Sequence, residues 1–240
     1  VDFFDNLVLN AVGLSGPGAL YLFSQGHWQR RLEHFMLSFM AVGDDPVAQR
    51  FQAEGFASLI KGQKFMSKFA IQLNVSCPNT GHDTSETAKA ARPLLDVLSQ
   101  LDVPILVKIN FLTSVEDAKA IEEHPACAGL VCFNTLPFAN IPDHKKNRFL
   151  PNGSPVPYPG GGGLSGQPIF SMTYDWLRRA DDAGFIKPII AGGGVTSVRD
   201  VDMLAELRCV KGVSLGTAAI TRPWRMKKLI QTINEHPNLA

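Results

Sequence analysis

The chain has 240 residues, of which 45% are hydrophobic and 19% charged, as in an ordinary globular protein. That length allows two small domains or a single α/β barrel. Its 23 basic and 22 acidic residues leave a net charge of +1, so neither nucleic acid nor an anionic membrane is expected as the main partner.

Cysteine usage indicates a reducing compartment rather than a disulfide scaffold, and we expect the cytoplasm. Neither a CxxC motif nor a Cys/His spacing suited to zinc occurs, so no metal site is predicted. Cys127, Cys132 and Cys209 lie in or beside apolar runs and are interpreted as small core residues. The sequence contains no apolar stretch long enough to span a bilayer.

Six apolar runs are predicted to be strands. They are nearly continuous in apolar character, which is typical of parallel strands buried on both faces. The runs are Phe35–Ala41, Phe69–Val75, Pro104–Ile109, Gly129–Phe133, Pro188–Ala191 and Gly212–Leu215.

Segments between these runs carry helix signals. The predicted helices are Thr84–Gln100, Ala118–Glu123, Tyr174–Ala183, Val198–Leu207 and Trp224–Glu235. Ser114, Ser171 and Ser197 are predicted to cap the second, third and fourth of them. Pro93 is expected to break or kink the first helix. This alternation of strands and helices predicts a doubly wound open sheet or a TIM barrel.

In both architectures the carboxyl ends of the strands form the working face, and polar or glycine residues follow five of the runs. They are Asn74, Ser76, Cys77 and Asn79; Lys108 and Asn110; Asn134 and Thr135; Gly192, Gly193 and Gly194; Gly216 and Thr217. The two glycine groups precede helices, where backbone N–H groups can hold a phosphate. The alternative is that these glycines serve only tight turns.

Lysine and asparagine side chains in this set favour a bound heterocycle that undergoes oxidation and reduction. Lys108 is either a lysine at the rim of the sheet or a fixed positive charge beside a ring that gains negative charge on reduction. The amides of Asn74 and Asn134 suit a heterocycle with C=O and N–H edges. The residues alone leave Cys77 open between a catalytic base and a loop thiol.

The ordered motifs LNVSCPNT (73–80), VKI (107–109), FNT (133–135), GGLSG (162–166), IIAGGG (189–194) and LGTA (215–218) resemble those of dihydroorotate dehydrogenases. These are FMN enzymes built on a TIM (β/α)8 barrel. The resemblance runs from about Asn10 to the C-terminus. NAVGL (10–14) is more loosely similar to the family's substrate loop, with valine where methionine occurs.

The resemblance implies FMN-dependent oxidation of dihydroorotate to orotate in pyrimidine biosynthesis. Cys77 would remove the C5 proton while hydride passes from C6 to flavin N5. The implied substrate-binding residues are Asn10, Gly13, Leu14, Asn74, Asn79, Asn134 and Thr135. The implied FMN-binding residues are Asn74, Lys108, Gly166, Gly193, Gly194, Gly216 and Thr217. Segment 136–160 is similar in place to a mobile loop over the active site, and the resemblance allows a homodimer.

The chain departs from the family at its start. Only nine residues precede Asn10, so six strands are visible where a barrel needs eight. We therefore expect one FMN-binding barrel domain over residues 1–240 that lacks about two N-terminal strands and a lysine that they carry. The alternatives are an FMN oxidoreductase acting on another dihydropyrimidine, a flavin-binding homologue with little turnover, and an FMN-free phosphate-binding barrel. The last is disfavoured because no acidic residue follows the strand ends.

Overall fold

The computed structural model describes residues 6–13, 15–75, 84–157 and 160–239, except the side chains of residues 84–89. The strands are β1 (Leu7–Asn10), β2 (Phe35–Phe39), β3 (Phe69–Asn74), β4 (Ile105–Lys108), β5 (Cys127–Cys132), β6 (Leu136–Pro137), β7 (Gly163–Gly166), β8 (Ile189–Ala191) and β9 (Val210–Val213). The helices are α1 (Ala19–Ser24), α2 (Pro46–Lys61), α3 (Thr84–Leu98), α4 (Val115–Glu122), α5 (Asp143–Phe149), α6 (Phe170–Asp182), α7 (Val198–Ala205), α8 (Thr217–Thr221) and α9 (Met226–Glu235). Among the helices in these ranges, none is both long and apolar enough to cross a membrane.

The principal sheet has six parallel strands in the order β2-β3-β4-β5-β8-β9. All six predicted strands are confirmed, and helices alternate with them along the chain. Within the described ranges β2 and β9 are the edges of an open sheet, and no closed eight-stranded barrel is seen. The carboxyl ends of all six strands therefore point to one side of the molecule.

The two faces of this sheet differ in character, as expected from the alternation of side chains along a strand. One face packs against the helices through fully buried residues such as Leu73, Val107 and Leu130. Residues adjacent to these in the strands point to the opposite face, which carries Gln72 on β3 and Lys108 on β4. The face away from the helices therefore carries polar side chains toward the carboxyl ends of the strands.

Capping side chains fix where several helices begin. Ser114 accepts a hydrogen bond from the Asp117 N–H at 3.0 Å at the start of α4, as predicted. Helix α2 was not predicted, although its start signal is present in the sequence. Asp45 accepts from the Ala48 N–H at 2.8 Å, and Pro46 occupies the first turn.

One local prediction, the Ser171 cap, is wrong, and of the break or kink expected at Pro93 the break is absent. Ser171 does not cap α6, because a short 3₁₀ turn carries the chain into a helix that already begins at Phe170. The Ser171 hydroxyl instead accepts from the Lys145 ammonium at 3.2 Å. The break expected at Pro93 is not found, since α3 continues to Leu98. Burial of that helix in the core offsets the backbone hydrogen bond that proline cannot make.

A small antiparallel sheet with the order β1-β7-β6 joins three distant parts of the chain. It was not predicted. Its strands and the segment around α5 share a second core, formed by Leu7, Leu9, Leu136, Ile141, Leu150, Leu164 and Ile169. The segment predicted as a loop over the site, 136–160, thus contains a strand and a helix. This sheet places Asn10 and Thr135 on the same side as the carboxyl ends of the parallel strands.

A buried carboxylate connects helix α4 to the segment that precedes β8, at the amino-terminal end of the principal sheet. Glu122, only 1% exposed, accepts from the Ile186 N–H at 2.6 Å and the Lys187 N–H at 2.7 Å, and pairs with the Lys119 ammonium at 2.6 Å. Burial alone would raise the pKa of Glu122, but these hydrogen bonds outweigh it and hold the pKa below its usual range.

Glu122→Gln is expected to lower the free energy of unfolding by about 2–3 kcal/mol at neutral pH, because a buried charge-assisted network is broken. A lowered folded-state pKa gives stability that is present above the unfolded pKa and lost as pH falls through the folded one. The difference between wild type and variant should therefore shrink in acid. Urea titrations at pH 7 and pH 4 measure it, with the exposed neighbour Glu123→Gln as the control. An equal difference at both pH values would contradict this.

Candidate active site at the carboxyl ends of the parallel strands

A cleft of about 250 Å³ lies where the principal sheet meets the antiparallel one. Predicted site residues that line it are Asn10, Lys108, Asn134, Thr135, Gly193, Gly194, Gly216 and Thr217. They come from both sheets and from sequence positions more than 200 residues apart. The fold therefore brings these eight residues, predicted from their places at strand ends and loops, together in one cleft.

Three further predicted residues are described but do not line the cleft. Asn74 ends β3 and is the Cα partner of Lys108. Gly166 lies beneath the glycine loop that follows β8, where its carbonyl oxygen would be 2.7 Å from a Cβ on Gly194. Gly13 is in a loop with open space around it. The predicted residues Cys77, Asn79 and Leu14 lie outside the described residues.

The cleft has a positive electrostatic character. Lys108 is half-buried, and burial lowers the pKa of its ammonium group. Among the described residues no carboxylate or other polar group pairs with this ammonium, and none of those lining the cleft is acidic. A cation with reduced hydration and no counter-ion stabilises an anion, or a ring that becomes negative, more strongly than an exposed lysine does.

The loop after β8 presents backbone donors to the cleft. Gly193 and Gly194 have φ values of +96° and +93°, and a Cβ on Gly194 would lie 2.6 Å from the Phe170 nitrogen. Only glycine fits both the dihedral angle and the space. Within the described ranges the N–H groups of these two glycines have no acceptor. The backbone N–H groups of this loop are thus available to a ligand in the cleft.

The helices that follow the two glycine loops differ at their starts. In α7 the Asp200 carboxylate accepts from both the Thr196 and Ser197 N–H groups at 2.8 Å, so those amides are already satisfied. Helix α8 has no side-chain cap, and the Gly216 and Thr217 N–H groups have no acceptor in the part of the chain that is described. Any anion at these loops would therefore meet the glycine amides and the α8 start, and not the α7 start.

The segment after β5 is held rigidly. Phe133 stacks on Phe111 with a centroid distance of 4.4 Å and meets Trp176 edge-on at 5.0 Å. The Asn134 N–H donates to the Ile109 carbonyl at 3.2 Å, and its side-chain oxygen accepts from the Thr135 N–H at 2.9 Å. These contacts fix the amide and hydroxyl that line the cleft, as an oriented planar ligand requires.

Sequence reasoning missed several polar residues of the cleft, namely Gln72, Ser165 and Ser214. Gln72 was passed over because it lies inside an apolar run, two residues before Asn74. Alternation within that strand was the available signal, since Gln72 and Asn74 share a face. Ser165 belongs to the GGLSG motif, of which only Gly166 was predicted as a site residue.

A second depression of about 420 Å³ is formed by residues 9–12 and 155–157, and Asn10 borders both cavities.

Comparison with known proteins identifies the family. A family model described as dihydroorotate dehydrogenase matches residues 2–236. The chain belongs to the dihydroorotate dehydrogenase family.

Curated relatives in this dihydroorotate dehydrogenase family are catalytic subunits named dihydroorotate dehydrogenase B (NAD(+)). The chain is similar to that of Anoxybacillus flavithermus, with 29% identity over 233 residues that cover 93% of this chain and 68% of the relative. It is similar to that of Listeria innocua with 31% identity, covering 93% and 70%. Among solved structures, an HpcH/HpaI aldolase from Desulfitobacterium hafniense shows 13% identity and covers 92% of this chain and 75% of that one. The TM-score of that comparison is 0.36.

Proposed function

We propose that the chain catalyses the FMN-dependent oxidation of dihydroorotate to orotate in pyrimidine biosynthesis, as an oxidoreductase acting on a CH–CH bond. Membership of the family supports the reaction class. One structural observation supports the cofactor and site: the half-buried Lys108, which has no partner among the described residues, shares a cleft with backbone N–H donors at the ends of β8 and β9 that have no acceptor there. The proposal takes the fold as a single FMN-binding barrel domain over residues 1–240.

The residues present fit FMN. Its phosphate needs several N–H donors, and the amides of Gly193, Gly194, Gly216 and Thr217 supply them where no side chain competes. A cation belongs beside the part of the ring that gains negative charge on reduction, and Lys108 lines the same cleft from the end of β4, which β5 separates from β8. Gly166 would contribute by supporting the Gly194 loop rather than by touching the cofactor.

The substrate is assigned to the side of the cleft bordered by the antiparallel sheet. Asn10, Asn134 and Thr135 offer amide and hydroxyl groups there, which suit the C=O and N–H edges of a dihydropyrimidine. Asn74 adjoins them at the end of β3. Gly13, Leu14 and Asn79 are assigned to the substrate from the sequence alone.

The chemistry separates one proton and one hydride. The Cys77 thiolate would take the C5 proton of dihydroorotate, which leaves the electron pair to form the C5=C6 double bond of orotate. Bound FMN would supply the acceptor, N5, for the hydride from C6. Lys108 would stabilise the resulting negative charge, and the amides of Asn10 and Asn134 would hold the substrate ring in place.

Two further features accompany the proposal. The cytoplasm is its compartment, which agrees with the free thiols of Cys127, Cys132 and Cys209. A homodimer is its oligomeric state, and light scattering of the purified protein measures this.

The visible spectrum of the purified protein is the first test. We expect the visible absorption bands of an oxidised flavin, and anaerobic bleaching on addition of dihydroorotate. A colourless protein that cannot be reconstituted with FMN would rule out the cofactor. Bleaching by another dihydropyrimidine and not by dihydroorotate would reassign the substrate. A bound flavin that no dihydropyrimidine reduces would indicate a flavin-binding homologue without turnover.

A further inference from the structure

Gln72 is a polar side chain in the middle of β3, on the face that lines the cleft. Its carboxamide nitrogen donates to the Ser38 hydroxyl at 2.8 Å, and Ser38 is its Cα partner on β2. The carboxamide oxygen has no hydrogen-bond partner among the described residues, and it is not sealed from solvent. Ser38 thus orients the amide and leaves a single acceptor open to the cleft.

The strand register places this acceptor beside a donor. Gln72 is the Cα partner of Leu106 on β4, and Lys108 lies two residues further along the same strand and face. Residues in such a diagonal relation are within reach of each other when their side chains are long. The cleft therefore presents an acceptor and a cationic donor on adjacent strands.

We propose that Gln72 is a further cofactor-binding residue, whose carboxamide oxygen accepts the N3–H of the flavin while Lys108 donates to the neighbouring C2 carbonyl. This rests on the proposed function, in which the cleft holds FMN. The pyrimidine edge of a flavin presents C2=O, N3–H and C4=O in sequence, so it needs one acceptor flanked by donors. Ser38 is a positioning residue that acts through Gln72.

A flavin analogue that lacks the N3–H tests this contact separately from the other contacts in the site. We expect the reconstituted wild type to bind FMN about tenfold more tightly than 3-methyl-FMN, since the loss of a buried hydrogen bond leaves its partner unsatisfied. Gln72→Met keeps the side-chain length without the acceptor. It should bind FMN about tenfold more weakly and discriminate little between the two flavins. Fluorescence titration of the apoprotein measures both affinities.

Three other variants refine the test. Gln72→Glu retains an acceptor and should keep the preference for FMN. Ser38→Ala removes only the group that orients Gln72 and should reduce the preference by about threefold. Gln231→Met is the matched control, because Gln231 is exposed on α9 and its side chain, within the described ranges, bonds to Glu235 alone. It should not alter either affinity.

The outcomes distinguish this inference from the proposed function. If wild type, Gln72→Met and Ser38→Ala all show the same ratio of FMN to 3-methyl-FMN affinity, Gln72 does not read N3–H, although the FMN assignment stands. If the wild type binds neither flavin, both proposals fail. If Gln72→Met does not fold, an unchanged ratio in Ser38→Ala together with loss of the preference in Gln72→Glu overturns the inference.

Discussion

Cys77→Ser is expected to slow the anaerobic reduction of bound flavin by dihydroorotate by roughly 10²–10⁴-fold, while the flavin stays bound. The effect is large because a thiol can form a thiolate near neutral pH and an alcohol cannot. In the wild type the rate should rise with pH as the thiol ionises. Stopped-flow absorbance of the flavin band measures the rate, and the absorbance before mixing reports flavin content.

A matched cysteine is available as a control. Cys127 is buried on β5, its thiol contacts the Gly129 carbonyl at 3.3 Å, and burial raises its pKa. A serine hydroxyl can make the same contact, so Cys127→Ser should change the reduction rate by less than about twofold. If Cys77→Ser reduces flavin as quickly as this control does, Cys77 is not the base.

Lys108→Met should weaken FMN binding by about 10–100-fold, because it removes the charge-assisted interaction that the cleft offers a ligand. The midpoint potential of the flavin that still binds should fall, since a positive charge favours the reduced, more negative ring. Equilibrium dialysis measures the affinity, and reductive titration against a reference dye measures the potential.

The pH dependence of this variant is also predicted. Burial lowers the pKa of Lys108 in the free protein, so its charge is present at low pH and is lost as pH rises through that pKa. Affinity for FMN should thus decline in alkali for the wild type and stay flat for Lys108→Met. The control is Lys64→Met, since Lys64 is exposed and has no bonded partner in the described ranges. Equal potentials in Lys108→Met and this control would exclude Lys108 from the flavin site.

The parallel strands could be predicted because each is a compact apolar run, and the sheet buries alternate residues of that run against helices. The antiparallel sheet could not. Its strands have two to four residues and include Gly163 and Pro137, and β1 pairs with β7 across more than 150 positions, so no local pattern indicates them. Helix α2 was missed although the Asp45-Pro46 pair is an interpretable start signal.

The site was predictable where strand ends carry polar residues, because parallel strands deliver their ends to one edge. The site was less predictable where a side chain already binds the backbone N–H groups that a ligand would need. The Ser197 cap was expected, but its partner Asp200 also occupies the Thr196 and Ser197 amides, which removes them from any phosphate. Gln72 was not predicted because it lies inside an apolar run, and its partner Ser38 on the adjacent strand β2 is 34 positions away in sequence.

The pairing of β6 with β7 fixes both ends of the segment 138–162, within which Ile141 and Leu150 belong to the second core. Pro137 and Gly163 are Cα partners, so both ends of the segment are held side by side whatever lies between them. Lengthening a chain between two fixed points costs little entropy, about 0.6 kcal/mol for each doubling. Extra residues could therefore be inserted at the exposed positions 151–153 to alter what enters the cleft, and Asn10 and Thr135 would keep their places because β1 and β6 both pair with β7.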